Sequence, residues 1–460
     1  MIHCYKFKEH NIVLDINSGA VHIVSDVVYD ILSPLGDRPD TDGICAMLLS
    51  GRHNAAKGKA VSEINKIIKS GMLFSCDDQV SHEMLEDRDA VIKALCLHIA
   101  HDCNMSCAYC FAGEGSFSGE KSLLSVETGR KAIDFLLKQS GQRRNLEIDF
   151  FGGEPLMNFE VIKALVAYGR EREKLYGKHI RFTITTNGLL LDPMKELFIN
   201  ENMDNVILSI DGRPQINDAM RKTRSGGGTY NLVIDNYTRL AKSRDKMFYV
   251  RGTFTNRNLD FSEDVKHLAA LGFSKVSVEP VVSGESSDYS IREEDLPRIL
   301  EEYDKLADLC IEYAEKGEQF AFFHFNIDLS NGPCVVKRVS GCGAGTEYAA
   351  ISAEGDIYPC HQFVGEPEFK LGNLYDFATD ADDAADSGFN NLLYEFFNRA
   401  HIYNKEECKA CWAKFYCSGG CHANALHING DILEPYAIGC VLERKRVECA
   451  IGIQCHLAAD

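Results

Sequence analysis

The chain has 460 residues, 45% of them hydrophobic and 25% charged, with 18 cysteines and a formal net charge of −19. That much apolar material predicts roughly two to four domains and excludes both intrinsic disorder and a disulfide-stapled miniprotein. The acidic balance, with basic residues scattered along the chain, excludes a phosphate-backbone binder, so nucleic acid is not an expected partner.

The N-terminal Met1-Ile2-His3-Cys4-Tyr5-Lys6 lacks a basic-then-apolar signal pattern, and no apolar run approaches membrane-spanning length. A cytoplasmic protein with no membrane partner is expected. In a reducing compartment, this many cysteines point to metal or cluster ligation rather than disulfides.

Residues 1–80 read as a small α+β unit. The stretches Asn11 to Ile16 and Ala20 to Val24 are β-rich and flank Asn17-Ser18-Gly19, a hairpin turn signal. Ser25 is placed to cap a helix with Val27, Val28, Ile31 and Leu32 on one face, ended by Pro34. A second helix runs through Ile64, Ile67 and Ile68 to Gly71. A hairpin followed by helices resembles a winged-helix module.

Across 90–330, β-rich runs alternate with amphipathic stretches, the pattern of parallel βα units. The runs are Ala94–Ala100, Leu146–Phe151, Arg181–Thr186, Asn205–Ile210, Tyr249–Thr255 and Lys275–Glu279. The expected fold class is α/β, a partial (β/α)6 TIM-like barrel. Polar and glycine residues gather at the strand ends: Cys103, Gly152-Gly153-Glu154-Pro155, Asn187-Gly188, Ser209-Ile210-Asp211-Gly212 and Arg251. βα barrels place their active sites there. Gly226 to Gly228 follow no strand and read as a mobile loop.

Residues 331–460 lose the βα rhythm and hold ten of the cysteines, from Cys334 onward. Asp376 to Asp386 reads as a solvated acidic stretch. Cys4, Cys45, Cys76, Cys96 and Cys310 stand alone and read as small buried hydrophobes, as His324 does between its phenylalanines. Cys449 and Cys455 receive no role.

The triplet Cys103-x3-Cys107-x2-Cys110 supplies three thiolates to a cluster that normally takes four, leaving one iron open to chemistry. A closed zinc site would want four ligands. Here the sequence resembles the radical S-adenosylmethionine (SAM) superfamily, whose signature is this spacing after the first barrel strand, with an aromatic, Tyr109, before the last cysteine. The resemblance implies that SAM chelates the open iron and is cleaved to a 5′-deoxyadenosyl radical. It also implies SAM contacts from Tyr109, Gly152, Gly153, Glu154, Asn187, Ser209, Asp211 and Arg251.

The C-terminal cysteines resemble the SPASM pattern. Position by position, Cys408, Cys411, Cys417 and Cys440 would hold one auxiliary cluster, and Cys342, Cys360 and Cys421 another, for three 4Fe-4S clusters in all. Zinc-ribbon binding by the Cys408–Cys421 quartet is the competing reading. Sulfatase maturases complete the nearer cluster with a cysteine six residues after the first; here that position is Tyr348. A substrate thiolate or Cys334 could fill the gap. His361 stands where those enzymes have a catalytic aspartate, as a general base or a supporting histidine.

Over the full chain the arrangement resembles thioether-forming maturases of six-cysteine (SCIFF) peptides, with the N-terminal unit similar to a RiPP recognition element that takes a leader peptide as an added strand. The implied partners are a cysteine-rich precursor peptide with its leader and a low-potential flavodoxin- or ferredoxin-type electron donor. Formylglycine formation and a non-catalytic zinc scaffold are the rival readings.

Overall fold

The computed structural model of the chain describes residues 1–35, 55–77, 91–117, 119–284, 287–329, 335–377 and 390–459. Cys45, Cys334 and most of the acidic stretch after Asp376 lie outside the described residues, as do the expected domain boundaries at 80, 90 and 330.

The N-terminal unit is a three-stranded antiparallel sheet in the order β1 (Ile2–Phe7), β2 (His10–Asp15), β3 (Val21–Val24). The β2–β3 hairpin is the one expected from Asn17-Ser18-Gly19, and β1 is an addition, joined to β2 through a tight turn in which Lys8 takes a φ of 50°. Strand β2 is covered on both faces, which explains its unbroken apolar run. Val13 packs with Val28, Ile31 and Ile64, while Ile12 and Leu14 join the main core on the opposite face. Ser25 caps the Asp26–Leu32 helix through Val28 N–H, and a further helix spans Ala55–Lys69.

The barrel wall contains β4 (Ala94–Ala100), β6 (Asn145–Gly152), β7 (His179–Thr186), β8 (Asn205–Ser209), β10 (Met247–Phe254) and β11 (Lys275–Pro280), paired in parallel in that order. These are the six runs read from the sequence. A small ribbon, β5 (Met105–Cys107) against β9 (Arg221–Thr223), closes over the end of β4. β12 (Ala321–Phe322) extends the wall beyond β11.

The sheet does not end where the βα rhythm does. β13 (Tyr348–Ile351) pairs in parallel with β4, and β14 (Asp356–Tyr358) and β15 (Gly372–Asn373) follow antiparallel. The C-terminal cysteine region is thereby hydrogen-bonded onto the same strand that leads into Cys103.

The helix Ala437–Ala459 ties the whole together, packing on the Leu296–Glu315 helix and on the N-terminal sheet. Its Glu448 receives His3 Nε2 at 2.9 Å, and the Glu448 carbonyl accepts from Tyr5 Oη at 3.1 Å. Among the described residues no helix is long and apolar enough to cross a membrane.

Candidate active site

A cavity of about 590 Å³ opens at the C-terminal ends of the barrel strands. Cys103, Cys107 and Cys110 line one side of it. The chain turns sharply after β4: Met105 N–H donates to Cys103 Sγ at 3.4 Å, and Cys110 N–H to the Cys107 carbonyl at 3.2 Å. Asn187, at the end of β7, reaches across to donate to Asn104 at 2.7 Å and Cys103 Sγ at 3.6 Å. Burial and the nearby Glu154 push the Cys103 thiol up to about 12. A buried thiol of this kind becomes a ligand by losing its proton to an incoming metal.

The end of β6 lies against this turn so closely that only glycine fits. Gly152 has φ +122°, and a Cβ there would collide with the Ala100 carbonyl oxygen; a Cβ on Gly153 would collide with that of Asp102. Both obstacles are backbone, which has no rotamer to escape into. Gly153→Ala is therefore expected to displace the Cys103 turn, costing about 1–3 kcal/mol of stability and measurably weakening SAM binding, as denaturant melts and equilibrium dialysis of the reconstituted protein would report.

Glu154 follows, fully buried. It accepts from Leu156 N–H at 2.9 Å, Thr186 Oγ1 at 2.8 Å and Asn187 N–H at 2.7 Å, fastening β6 to β7. Burial lifts its carboxyl to about 7. It also lines the cavity, as do Tyr109, Gly152, Gly153, Asn187, Ser209 and Arg251.

Asp211 is placed differently. Its carboxylate is wholly buried and does not line the cavity. It accepts from Tyr109 Oη at 2.7 and 2.8 Å, Arg221 Nε at 2.9 Å and Thr253 N–H at 3.0 Å. Arg221 opens β9, the strand paired with Cys107, so this buried pair holds the ribbon that carries the second thiol.

The opposite side of the cavity is charged. Glu279, on β11, faces His324 Nε2 at 3.1 Å, Arg251 Nε at 3.9 Å and Arg446 Nη2 at 4.0 Å. Burial opposes its charge, yet these three groups hold its carboxyl well below the usual range. Arg446 is itself buried, donates from Nε to Tyr303 Oη at 2.9 Å, and keeps Nη2 without a hydrogen-bond partner. His324 is packed among phenylalanines as expected, and its ring nitrogen faces Glu279.

The C-terminal cysteines fall into two groups. Cys342, Cys360 and Cys421 are electrostatic neighbours, with Cys342 and Cys421 exposed. Cys408, Cys411, Cys417 and Cys440 form the other group. Cys417, Cys421 and Cys440 also line the cavity, so the barrel triplet and both groups share one space. None of the described cysteines is in a disulfide. Lys405, fully buried with Nζ on the Gly419 carbonyl at 2.8 Å, sits against Cys408, Cys417, Cys421 and Cys440. Tyr348 sits beside Cys360 and hydrogen-bonds Cys96 of β4. His361 lines the cavity between Phe111 and Phe151, and burial together with Arg251 lowers it to about 4.

These donor sets fit the groups expected from the sequence. Cys103, Cys107 and Cys110 offer three sulfurs beside a glycine cradle that a Cβ would fill, suited to an iron–sulfur cluster with SAM alongside. Soft sulfur ligands suit clusters at the other two groups as well. Arg221, Lys405, Glu279 and Arg446 were not singled out from the sequence. For Glu279 a signal existed, since it ends the sixth strand; the other three carry none in their spacing.

Residues 93–235 match the 4Fe-4S single cluster domain family, and residues 342–412 match the SPASM iron–sulfur cluster-binding domain. An uncharacterised protein of Methanocaldococcus jannaschii is 32% identical over 190 residues, 41% of this chain and 62% of that one, so the chain spans less than two thirds of that relative. The cysteine-type anaerobic sulfatase-maturating enzyme of Clostridium perfringens strain 13 is 26% identical over 341 residues, covering 69% and 85% of the two chains. The structure of anSMEcpe with bound AdoMet superposes with a TM-score of 0.64 at 21% identity, over 80% of this chain and 99% of that one. Streptococcus suis SuiB bound to its precursor peptide SuiA gives 0.52 at 15%, over 95% and 98%. With the thiol triplet at the mouth of a partial barrel and the cysteine-rich region hydrogen-bonded to its first strand, this chain has the fold of the radical SAM enzymes that carry a SPASM domain.

Proposed function

We propose that the chain is a peptide maturase that joins a cysteine sulfur to a carbon of a ribosomally made, cysteine-rich precursor peptide, as SCIFF maturases do. One observation carries this reading. The Cys342, Cys360 and Cys421 group has three thiols, Tyr348 is turned to Cys96 in place of a fourth, and Cys421 opens into the cavity that holds the Cys103 triplet. A substrate thiolate completing that group would sit in the same space as the radical source. Cys96, the other described thiol near Cys360, is engaged by Tyr348, and a group left with three thiols favours crosslinking over formylglycine formation.

The reading assigns three 4Fe-4S clusters, on Cys103, Cys107 and Cys110, on Cys342, Cys360 and Cys421, and on Cys408, Cys411, Cys417 and Cys440, with a flavodoxin- or ferredoxin-type donor. When bound, the first of these with SAM supplies a carbon radical that takes a hydrogen atom from the peptide. The chain's own groups position the target: Arg251, Glu279 and Arg446 face it from one wall, and His361, kept neutral by burial and Arg251, offers it a hydrogen-bonding ring nitrogen. Close contact and water exclusion matter because such a radical takes any hydrogen within reach. Forming each C–S bond removes one hydrogen atom, which the carbon radical takes, one proton, which the thiol releases on binding the auxiliary group, and one electron, which the cluster of that group would accept. Mass spectrometry should therefore show the loss of two hydrogen masses and one fewer alkylatable cysteine per crosslink. An unchanged peptide that nonetheless consumes SAM, or an aldehyde product, would refute it.

Residues 1–80 take the leader, residues 90–330 hold SAM and residues 331–460 hold the auxiliary clusters on this reading. Among the described residues no strand pairs with the outer edge of β3, whose Ile23 is 45% exposed. An extended leader added there would gain backbone hydrogen bonds and cover Ile23. Since burying such a side chain contributes about 1.5–3 kcal/mol, Ile23→Asp should weaken leader binding by roughly tenfold or more. Fluorescence anisotropy with a labelled leader measures this, and modification of a leaderless core peptide should not change.

A further inference from the structure

A separate group of metal-ligating side chains lies outside the cavity, at the far end of the Ala437–Ala459 helix. Glu9 sits in the β1–β2 turn, His10 begins β2, and His456 lies in the last turn of that helix. His10 Nε2 and His456 Nδ1 are 3.2 Å apart, and Glu9 Oε1 lies 3.5 Å from the first and 3.4 Å from the second. The three atoms thus form a nearly equilateral triangle. Tetrahedral zinc with bonds of about 2.0–2.1 Å requires ligand-to-ligand edges of about 3.3–3.4 Å, which these edges match.

Hydrogen bonding alone accounts for the triangle poorly. The imidazole pair makes a long bond, and both contacts to Glu9 lie beyond good hydrogen-bond length. Both rings are mostly enclosed, with side chains 12% exposed, while Glu9 is 64% exposed. The other nitrogen of His456, Nε2, faces Glu315 Oε1 at 3.8 Å. That is the outer carboxylate that commonly orients a metal-bound histidine.

We infer that Glu9, His10 and His456 bind a divalent cation of zinc type, with Glu315 orienting His456 and a solvent-facing fourth position for water. Imidazole and carboxylate donors suit zinc, whereas the thiol groups elsewhere in the chain suit clusters. The ion would join the first hairpin of the chain to its final helix turn, fastening the N-terminal sheet to the helix that carries Cys440 and Arg446. The inference stands independently of the peptide chemistry proposed above.

The experiment uses full-length protein reconstituted anaerobically with iron and sulfide, so that the cluster cysteines are occupied, then dialysed against Zn2+. About one zinc per chain is expected, with X-ray absorption showing nitrogen and oxygen neighbours at about 2.0–2.1 Å and imidazole outer scattering. Glu315→Gln should weaken Zn2+ affinity by roughly 10–100-fold, and the His10→Ala/His456→Ala pair should abolish binding while iron content stays the same. Zinc bound through sulfur, or wild type retaining no more zinc than the double variant, would overturn the site. The wild-type absorption spectrum decides the matter even if the double variant does not fold.

Discussion

Cys103→Ala is expected to abolish 5′-deoxyadenosine formation from SAM, leaving only background in a chromatographic assay with dithionite. The thiol is one of three lining the barrel mouth, and Asn187 and Met105 hold it through its sulfur. Two remaining sulfurs cannot retain a cubane, so the variant should lose about four irons per chain. The auxiliary groups lie beyond position 340 and share no ligand with the triplet, so the remaining iron should persist. Cys107→Ala and Cys110→Ala should behave alike. SAM cleavage surviving in all three would remove the basis of every activity proposed for the chain.

Arg221→Met should be the most damaging change that removes no cluster ligand. Asp211 is fully buried and Arg221 Nε lies 2.9 Å away as its cationic partner. Removing the arginine leaves a buried carboxylate without a counter-charge, a loss of about 3–5 kcal/mol. Chemical denaturation of the cluster-loaded protein measures this. The double variant Arg221→Met/Asp211→Asn removes the stranded charge and should recover part of the loss. Because Arg221 pairs with Cys107 across the β5–β9 ribbon, the single variant should also assemble its first cluster poorly.

The barrel strands were legible because their signals are local. β4 runs from Ala94 to Ala100 as read, and the other five differ by a few residues at their ends. β1 was not read although β2 lies one tight turn away, because its His3 and Tyr5 break the apolar pattern and answer to Glu448, near the other end of the chain. β13 was missed because it pairs with β4 across more than 250 positions of sequence. The cysteine triplet was legible because cluster ligands must be close along the chain, whereas the partition of the C-terminal cysteines came from family likeness. Arg221, Lys405 and Arg446 look like ordinary surface charges in the sequence. Only the fold buries them, and burial is what gives them consequence. Asp211 shows the converse: a conspicuous strand-end motif whose carboxylate is spent on Tyr109 and Arg221.

The Ala437–Ala459 helix presents Cys440 to the cavity, Arg446 to the barrel and Glu448 to the first strand of the chain. From Cys440 to its final turn at His456 it measures about 24 Å at the usual rise. A helix of that length acts as a fixed ruler between the N-terminal sheet and the cysteine-lined cavity. On the proposed function, a precursor bound at the sheet would cross a comparable distance, which takes roughly seven extended residues. Precursors with shorter spacers would therefore bind tightly yet present no cysteine for reaction, so spacer length would be selected as strictly as the cysteines themselves.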